Sequence, residues 1–228
     1  MLALKQGLSL VSAKSIGWSP ADESSLEAWY QHKTGLTLEG AGATPDVSAW
    51  ADTSSNSHDM AQATVSERPV YTPATGILTF TSGNTENLQT TSQISLTGEF
   101  TIGIKCTPTQ FTNVLLADNT SSNEFFKFTG TTNLRVKIGG SVLNLEAAAT
   151  FGDDFLILTR DSGNNISLWK NGTREDTGGV LAGTCLIDAI GVRATDLNAY
   201  DGIIKEIQIY DSISDGLTAQ INTRLQSL

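Results

Sequence analysis

The 228 residues carry a formal charge of −10, with 14 Lys and Arg against 24 Asp and Glu. The basic residues stand singly along the chain, which argues against nucleic acid, because phosphate binding draws on clustered Lys and Arg. No apolar run approaches the roughly 18 residues of a membrane span. A chain this long buries roughly 70% of its unfolded surface on folding, so it needs neither a disulfide nor a metal to hold it together. Only 17% of residues are charged, and Thr, Ser, Asn and Gly fill the gap, a composition of short strands joined by many turns.

Residues 1–18 read as an apolar arm, with Leu2, Leu4, Leu8, Leu10 and Trp18 as its candidate contacts to a partner. Lys5, Gln6 and Gly7 interrupt the apolar stretch that a secretory signal requires, and no basic segment precedes it, so no signal peptide is expected. A domain over 19–228 follows. It starts with a short helix, where Ser19 caps, Pro20 takes the first helical position, and Asp22 and Glu23 complement the positive end of the dipole. LEAWY then reads as a strand, and residues 37–71 read as mostly polar loop punctuated by Trp50.

Strand signals recur from GILTF (76–80) onward. FTIGIKC (100–106) alternates, with Phe100, Ile102, Ile104 and Cys106 on one face. VLLA, FFKF, LRVKIGG, VLNLEA, FLILTR, ISLWK, CLIDAIGVR and GIIKEIQIYD follow between Gly, Asn, Asp and Ser punctuation, for roughly a dozen strands. In the last of these, Ile203, Ile207 and Ile209 are expected in the core, and Gly202 permits a close backbone approach. SDGLTAQINTRLQSL switches to helical period, with Leu217, Ile221, Leu225 and Leu228 on one face and Ser214 or Asp215 as cap.

Three stretches match the N-glycosylation pattern: Asn119-Thr-Ser, Asn165-Ile-Ser and Asn171-Gly-Thr. Asn171-Gly172 is also the strongest short-range signal for a two-residue hairpin turn, and without a signal peptide the turn reading is preferred. Cys106 and Cys185 lie far apart, show no metal-type spacing, and read as buried thiols.

The succession LEAWY, SAWADTSSNSHDMAQATVSERPVY, GILTF, GEFTIGIKCTPTQ, FGDDFLILTRDSGNNISLWKNGTRED, IGVR and AYDGIIKEIQIYDS is similar to a known pattern. It resembles the concanavalin A-like jelly-roll domains, of the laminin-G-like type, found in phage virion and bacterial surface proteins. The resemblance covers residues 24 to 228 and implies an all-β, antiparallel two-sheet sandwich with short terminal helices. Ser54–Asp59 departs from it, lacking the Gly that the pattern places in this loop. Relatives of this kind include glycan binders, glycanases and architectural domains.

For catalysis, a retaining glycanase needs two carboxylates about 5 Å apart, yet Glu206 has no acidic residue two positions away, and Asp211 falls on the other face of the strand. His32 and His58 sit in polar contexts and are expected at the surface. No catalytic set and no cofactor are therefore expected. For glycan or cation binding, Trp50, Asp52, Asn56 and Asp59 share one loop, although no Gly provides the sharp turn of a calcium loop and Trp50 reads equally as core. Trp29 and Trp169 read as core residues. With the resemblance, the arm favours a virion subunit, capsid-decorating or tail-borne, folded in the host cytoplasm and oligomeric with other virion proteins. A lectin-like module for host glycans is the alternative, and a glycoside hydrolase the remote one.

Overall fold

The computed structural model of the chain describes residues 17–40, 42–121, 125–194 and 197–228. The expected arm contacts Leu2, Leu4, Leu8 and Leu10 lie outside the described residues. A capped 3-10 turn, Pro20–Asp22, leads into β1 (Leu26–Tyr30). Then come β2 (Leu36–Glu39), β3 (Asp46–Trp50), β4 (Met60–Ala61), β5 (Val70–Thr72), β6 (Ile77–Phe80), β7 (Leu88–Leu96) and β8 (Phe100–Pro108). β9 (Val114–Ala117), β10 (Phe125–Phe128), β11 (Asn133–Ile138), β12 (Ser141–Glu146) and β13 (Asp154–Arg160) continue the series. β14 (Asn165–Lys170), β15 (Thr173–Val180), β16 (Cys185–Ile190) and β17 (Gly202–Tyr210) precede the terminal helix α1 (Asp215–Gln226).

The count of 17 strands exceeds the roughly dozen that hydrophobic alternation predicts. β2 to β5 run through the stretch that reads as polar loop, and β15 (TREDTGGV) carries no apolar side chain before Val180. β2 and β15 are largely exposed, while β3, β4 and β5 are two to five residues long and bury Val47, Ser48, Trp50, Met60 and Tyr71, too short a set for an alternation to show.

All ladders are antiparallel and join into one continuous sheet that is nearly closed. One run is β15–β14–β13–β8–β17, and the far edge of β17 is shared between β6 and β1. The other is β12–β11–β10–β9–β16–β7–β4–β3. β5 bridges β3 to β6 and so connects the two runs. They face each other across a core built from Phe100, Ile102 and Ile104 on one side and Phe126, Phe128, Val136 and Ile187 on the other. Phe100 meets Phe126 edge to face at 6.4 Å between centroids, across the two runs. Cys106 and Cys185 are both buried and are not joined in a disulfide.

β17 corrects one expectation. Strict alternation would place Ile203, Lys205, Ile207 and Ile209 on a single face and so drive a lysine into the core. A bulge between Ile204 and Glu206 resolves the conflict: Ile204, Ile207 and Ile209 are buried in the core and Ile203 is only half-buried.

α1 closes the outer face of the first run. Its Leu217, Ile221 and Leu225 pack with Trp29, Phe155, Ile157 and Tyr210 in a second apolar cluster. Ser214 caps the helix by accepting from the Leu217 amide at 3.0 Å. The helix can sit this low because Gly103 lies beneath it, where a Cβ would collide with Ile221. We predict that Ile221→Ala, which empties a fully buried site, lowers stability by about 2–4 kcal/mol in urea unfolding, since neighbours collapse only partly into such a void.

Candidate functional site

The helix is held by charge as well as by packing. The bulge turns Glu206 toward the outer face, where it is wholly buried. Its carboxylate accepts from Arg224 Nε at 2.5 Å and Nη2 at 2.8 Å, from Trp29 Nε1 at 3.0 Å, from the His32 amide at 3.1 Å and from Gln208 Nε2 at 2.7 Å. The Arg224 guanidinium also stacks 4.8 Å from the Trp29 ring centroid. Every lone-pair direction of this carboxylate is used, as a buried charge requires. Glu206 is a structural anchor for α1.

Beside the anchored helix lies a groove of about 400 Å³, lined by Trp169, Gly172, Asp215, Thr218, Ala219 and Asn222. Its outer wall is the β14–β15 hairpin. Asn171 and Gly172 both take positive φ, 50° and 80°, as the predicted two-residue turn demands. The Asn171 side chain is spent internally: Oδ1 accepts from the Phe155 amide at 3.0 Å and Nδ2 donates to Asp154 Oδ1 at 2.5 Å. A side chain at Gly172 would run into Asn222, so the turn and the helix fit only with glycine there. Within this groove the Trp169 indole Nε1 and the Asn222 Oδ1 are both covered and both without a hydrogen-bond partner. Arg174 stacks on the Trp169 ring, 5.9 Å from its centroid.

The residues singled out from sequence are placed differently. Trp50 is fully buried, its Nε1 donating to the Gln31 and Thr34 carbonyls. Asp52 spends Oδ1 on the Trp29 and Ser54 amides and Oδ2 on the Ser54 hydroxyl and the His58 amide. Asp59 accepts from the Asp52 amide at 2.8 Å, and the Asn56 Nδ2 donates to the Leu26 and Glu27 carbonyls. These side chains thus bond within the protein and brace the loop against β1. Among the described residues no group of three or more His, Cys, Asp or Glu is placed to hold a metal ion. His58 is buried against the Ser92 carbonyl at 2.6 Å, contrary to its polar sequence context, while His32 is half-buried. Trp18 is half-buried on the opposite flank of α1, its Nε1 donating to Glu23 Oε1 at 2.7 Å. There it borders a second groove, of about 430 Å³, with Gln220, Thr223 and Arg224.

One carboxylate pair escaped sequence reading. The β1–β17 ladder brings Glu27 near Asp211; burial first, then Asp211, raises Glu27 above the usual carboxylate range. Their separation of 184 positions hides the pair from any local motif.

No protein-family model matches the chain, and no curated protein matches it in sequence. Solved structures do match in shape. The carbohydrate-binding module CBM40 of the Ruminococcus gnavus IT-sialidase, solved with α2,3-sialyllactose, is 18% identical over 55% of this chain and 82% of its own, with a TM-score of 0.43. The binding domain of botulinum neurotoxin DC, solved with rat synaptotagmin II, is 14% identical over 92% of this chain and 52% of its own, with a TM-score of 0.48. Trypanosoma rangeli sialidase, solved with 2,3-difluoro-KDN, is 12% identical over 91% of this chain and 33% of its own, with a TM-score of 0.52. What is shared with the Trypanosoma rangeli sialidase is the fold.

Two outcomes are expected from these contacts. Glu206→Gln leaves the part-buried Arg224 without its counter-charge and costs about 1–3 kcal/mol in chemical denaturation, because charge-assisted hydrogen bonds to a buried acceptor are weakened. Glu27→Gln acts in the opposite sense. A carboxyl whose folded pKa is raised stabilises the fold below its unfolded pKa, and that contribution is lost as pH rises through the folded value. The variant should therefore melt higher than the parent at neutral pH, with the advantage vanishing in acid, as thermal melts across pH will read.

Proposed function

We propose that this chain is a non-catalytic carbohydrate-binding module on a two-sheet jelly-roll sandwich, with its ligand held in the groove between α1 and the β14–β15 hairpin. One observation carries the reading: an indole donor and an amide acceptor border the same groove and both lack a partner. A sugar hydroxyl donates and accepts at once, so a single hydroxyl answers both groups. Each such group left unanswered costs about 1–3 kcal/mol, which a bound hydroxyl recovers. Both atoms are covered, Asn222 Oδ1 against the Gly172 turn, so the ligand must displace what lies over them. The Trp169 ring supplies an apolar face for sugar C–H groups, and Asp215 and Thr218 add an acceptor and a hydroxyl at the rim.

A binding role without turnover is supported by the state of the carboxylates. Glu206 is committed to five donors, which leaves it no free lone pair for a substrate. The virion role expected from the resemblance draws no support from the neighbours named above, and of the arm on which it rested only Gly17 and Trp18 are among the described residues.

The test is a glycan array followed by titration calorimetry on the full chain. Neutral oligosaccharides should bind, and Asn222→Leu or Trp169→Leu should each weaken the best of them by roughly tenfold or more, the worth of one well-made hydrogen bond. Unchanged affinity in both variants would remove the groove from consideration.

A further inference from the structure

The outer face of β10 and β11 gathers positive charge in a chain whose net charge is −10. Lys127 stands directly opposite Arg135, and Phe125 directly opposite Lys137. Opposed side chains on neighbouring antiparallel strands approach to about 5 Å, a distance at which like charges repel. Arg193, after β16, adds a fourth cation: burial first, then Arg193 and Arg135, hold the Lys127 ammonium below the usual lysine range. All four cations are half-buried. None takes part in the four ion pairs among the described residues, which use Arg68, Lys105, Lys170 and Arg224.

The same face carries groups that recognise hydroxyls. Asn144 Oδ1 accepts from Arg135 Nε at 3.1 Å, and Asn198 Oδ1 accepts from Lys127 Nζ at 2.9 Å, which leaves each amide nitrogen for another partner. The Lys137 ammonium lies 5.8 Å above the Phe125 ring, held against the sheet. Arg193 Nε has no hydrogen-bond partner among the described residues. Guanidinium and ammonium side by side, with amides next to them, suit a planar or tetrahedral oxyanion flanked by hydroxyls.

We propose that this face binds the carboxylate or sulfate groups of an acidic saccharide. The inference extends the glycan reading with a second subsite: the charged groups of an acidic glycan are held by Lys127, Arg135 and Arg193, away from the α1 groove. An oxyanion between Lys127 and Arg135 turns a destabilising pair into a cooperative one, which accounts for two like charges in register on a protein that has few basic residues to spare.

The test is binding of labelled dextran sulfate and of hyaluronan oligosaccharides to the full chain, with neutral dextran, inorganic phosphate and a short oligodeoxythymidylate as further arms. The expected result is binding of at least one acidic saccharide, weakened by salt, and reduced roughly tenfold or more in Arg135→Gln/Arg193→Gln. Lys127→Gln should bind less while melting at or above the parent temperature, because it removes a repulsion; that separates lost contact from lost fold. Equal affinity in the double variant, or a preference for phosphate or the oligonucleotide, would overturn the proposal. The neutral-glycan array, read in parallel, tells the two readings apart. Neutral glycans bound with no polyanion bound ends this inference, while polyanion bound with no neutral glycan supports it and ends the groove reading.

Discussion

The Glu206 carboxylate is the constraint on which the outer half of the molecule depends. A charge with no exposure to water is tolerable only when its lone pairs are filled, and the donors that fill them come from three separate parts of the chain: β1 with the segment after it, β17 itself, and α1. Arg224 reaches it from the last turn of the helix, where a cation also complements the helix dipole. The helix is therefore fixed in rotation as well as in position. The apolar contacts of Leu217, Ile221 and Leu225 alone would tolerate small slips, whereas a two-pronged guanidinium contact does not.

That orientation decides what stands on either flank of α1. On one side Asn222 and Asp215 are presented to Trp169 and the hairpin turn; on the other, Thr223 and Arg224 face Trp18. Both the groove and its unanswered polar atoms are consequences of a helix that cannot rotate to satisfy them. The bulge in β17 lies upstream of all this, because without it Glu206 would exchange faces with its neighbours and the helix would lose its anchor.

Charge follows the same logic of assembly. Basic residues that stand singly in sequence meet on one sheet face once β10, β11 and the segment after β16 are side by side, and Glu27 meets Asp211 once β1 lies against β17. The molecule is thus acidic overall with a local cationic face, an arrangement that net charge conceals.

How much could be read in advance follows from the range of each interaction. FTIGIKC, ISLWK with its Asn-Gly turn, and the Ser214-capped helix are legible because period, turn chemistry and capping act within a few residues. β15 and the strands between 36 and 72 are not, since β15 and β2 are largely exposed and polar and β3 to β5 are too short to show an alternation. The Asp52 loop was visible as a cluster of oxygens, but whether those oxygens face a ligand or their own backbone depends on where β1 and His58 lie. Local propensity thus determined the class of fold, the turns and the closing helix. Only tertiary structure decided the sites, because a pair such as Trp169 with Asn222, or Lys127 with Arg193, exists only after long-range strand pairing has brought its members together.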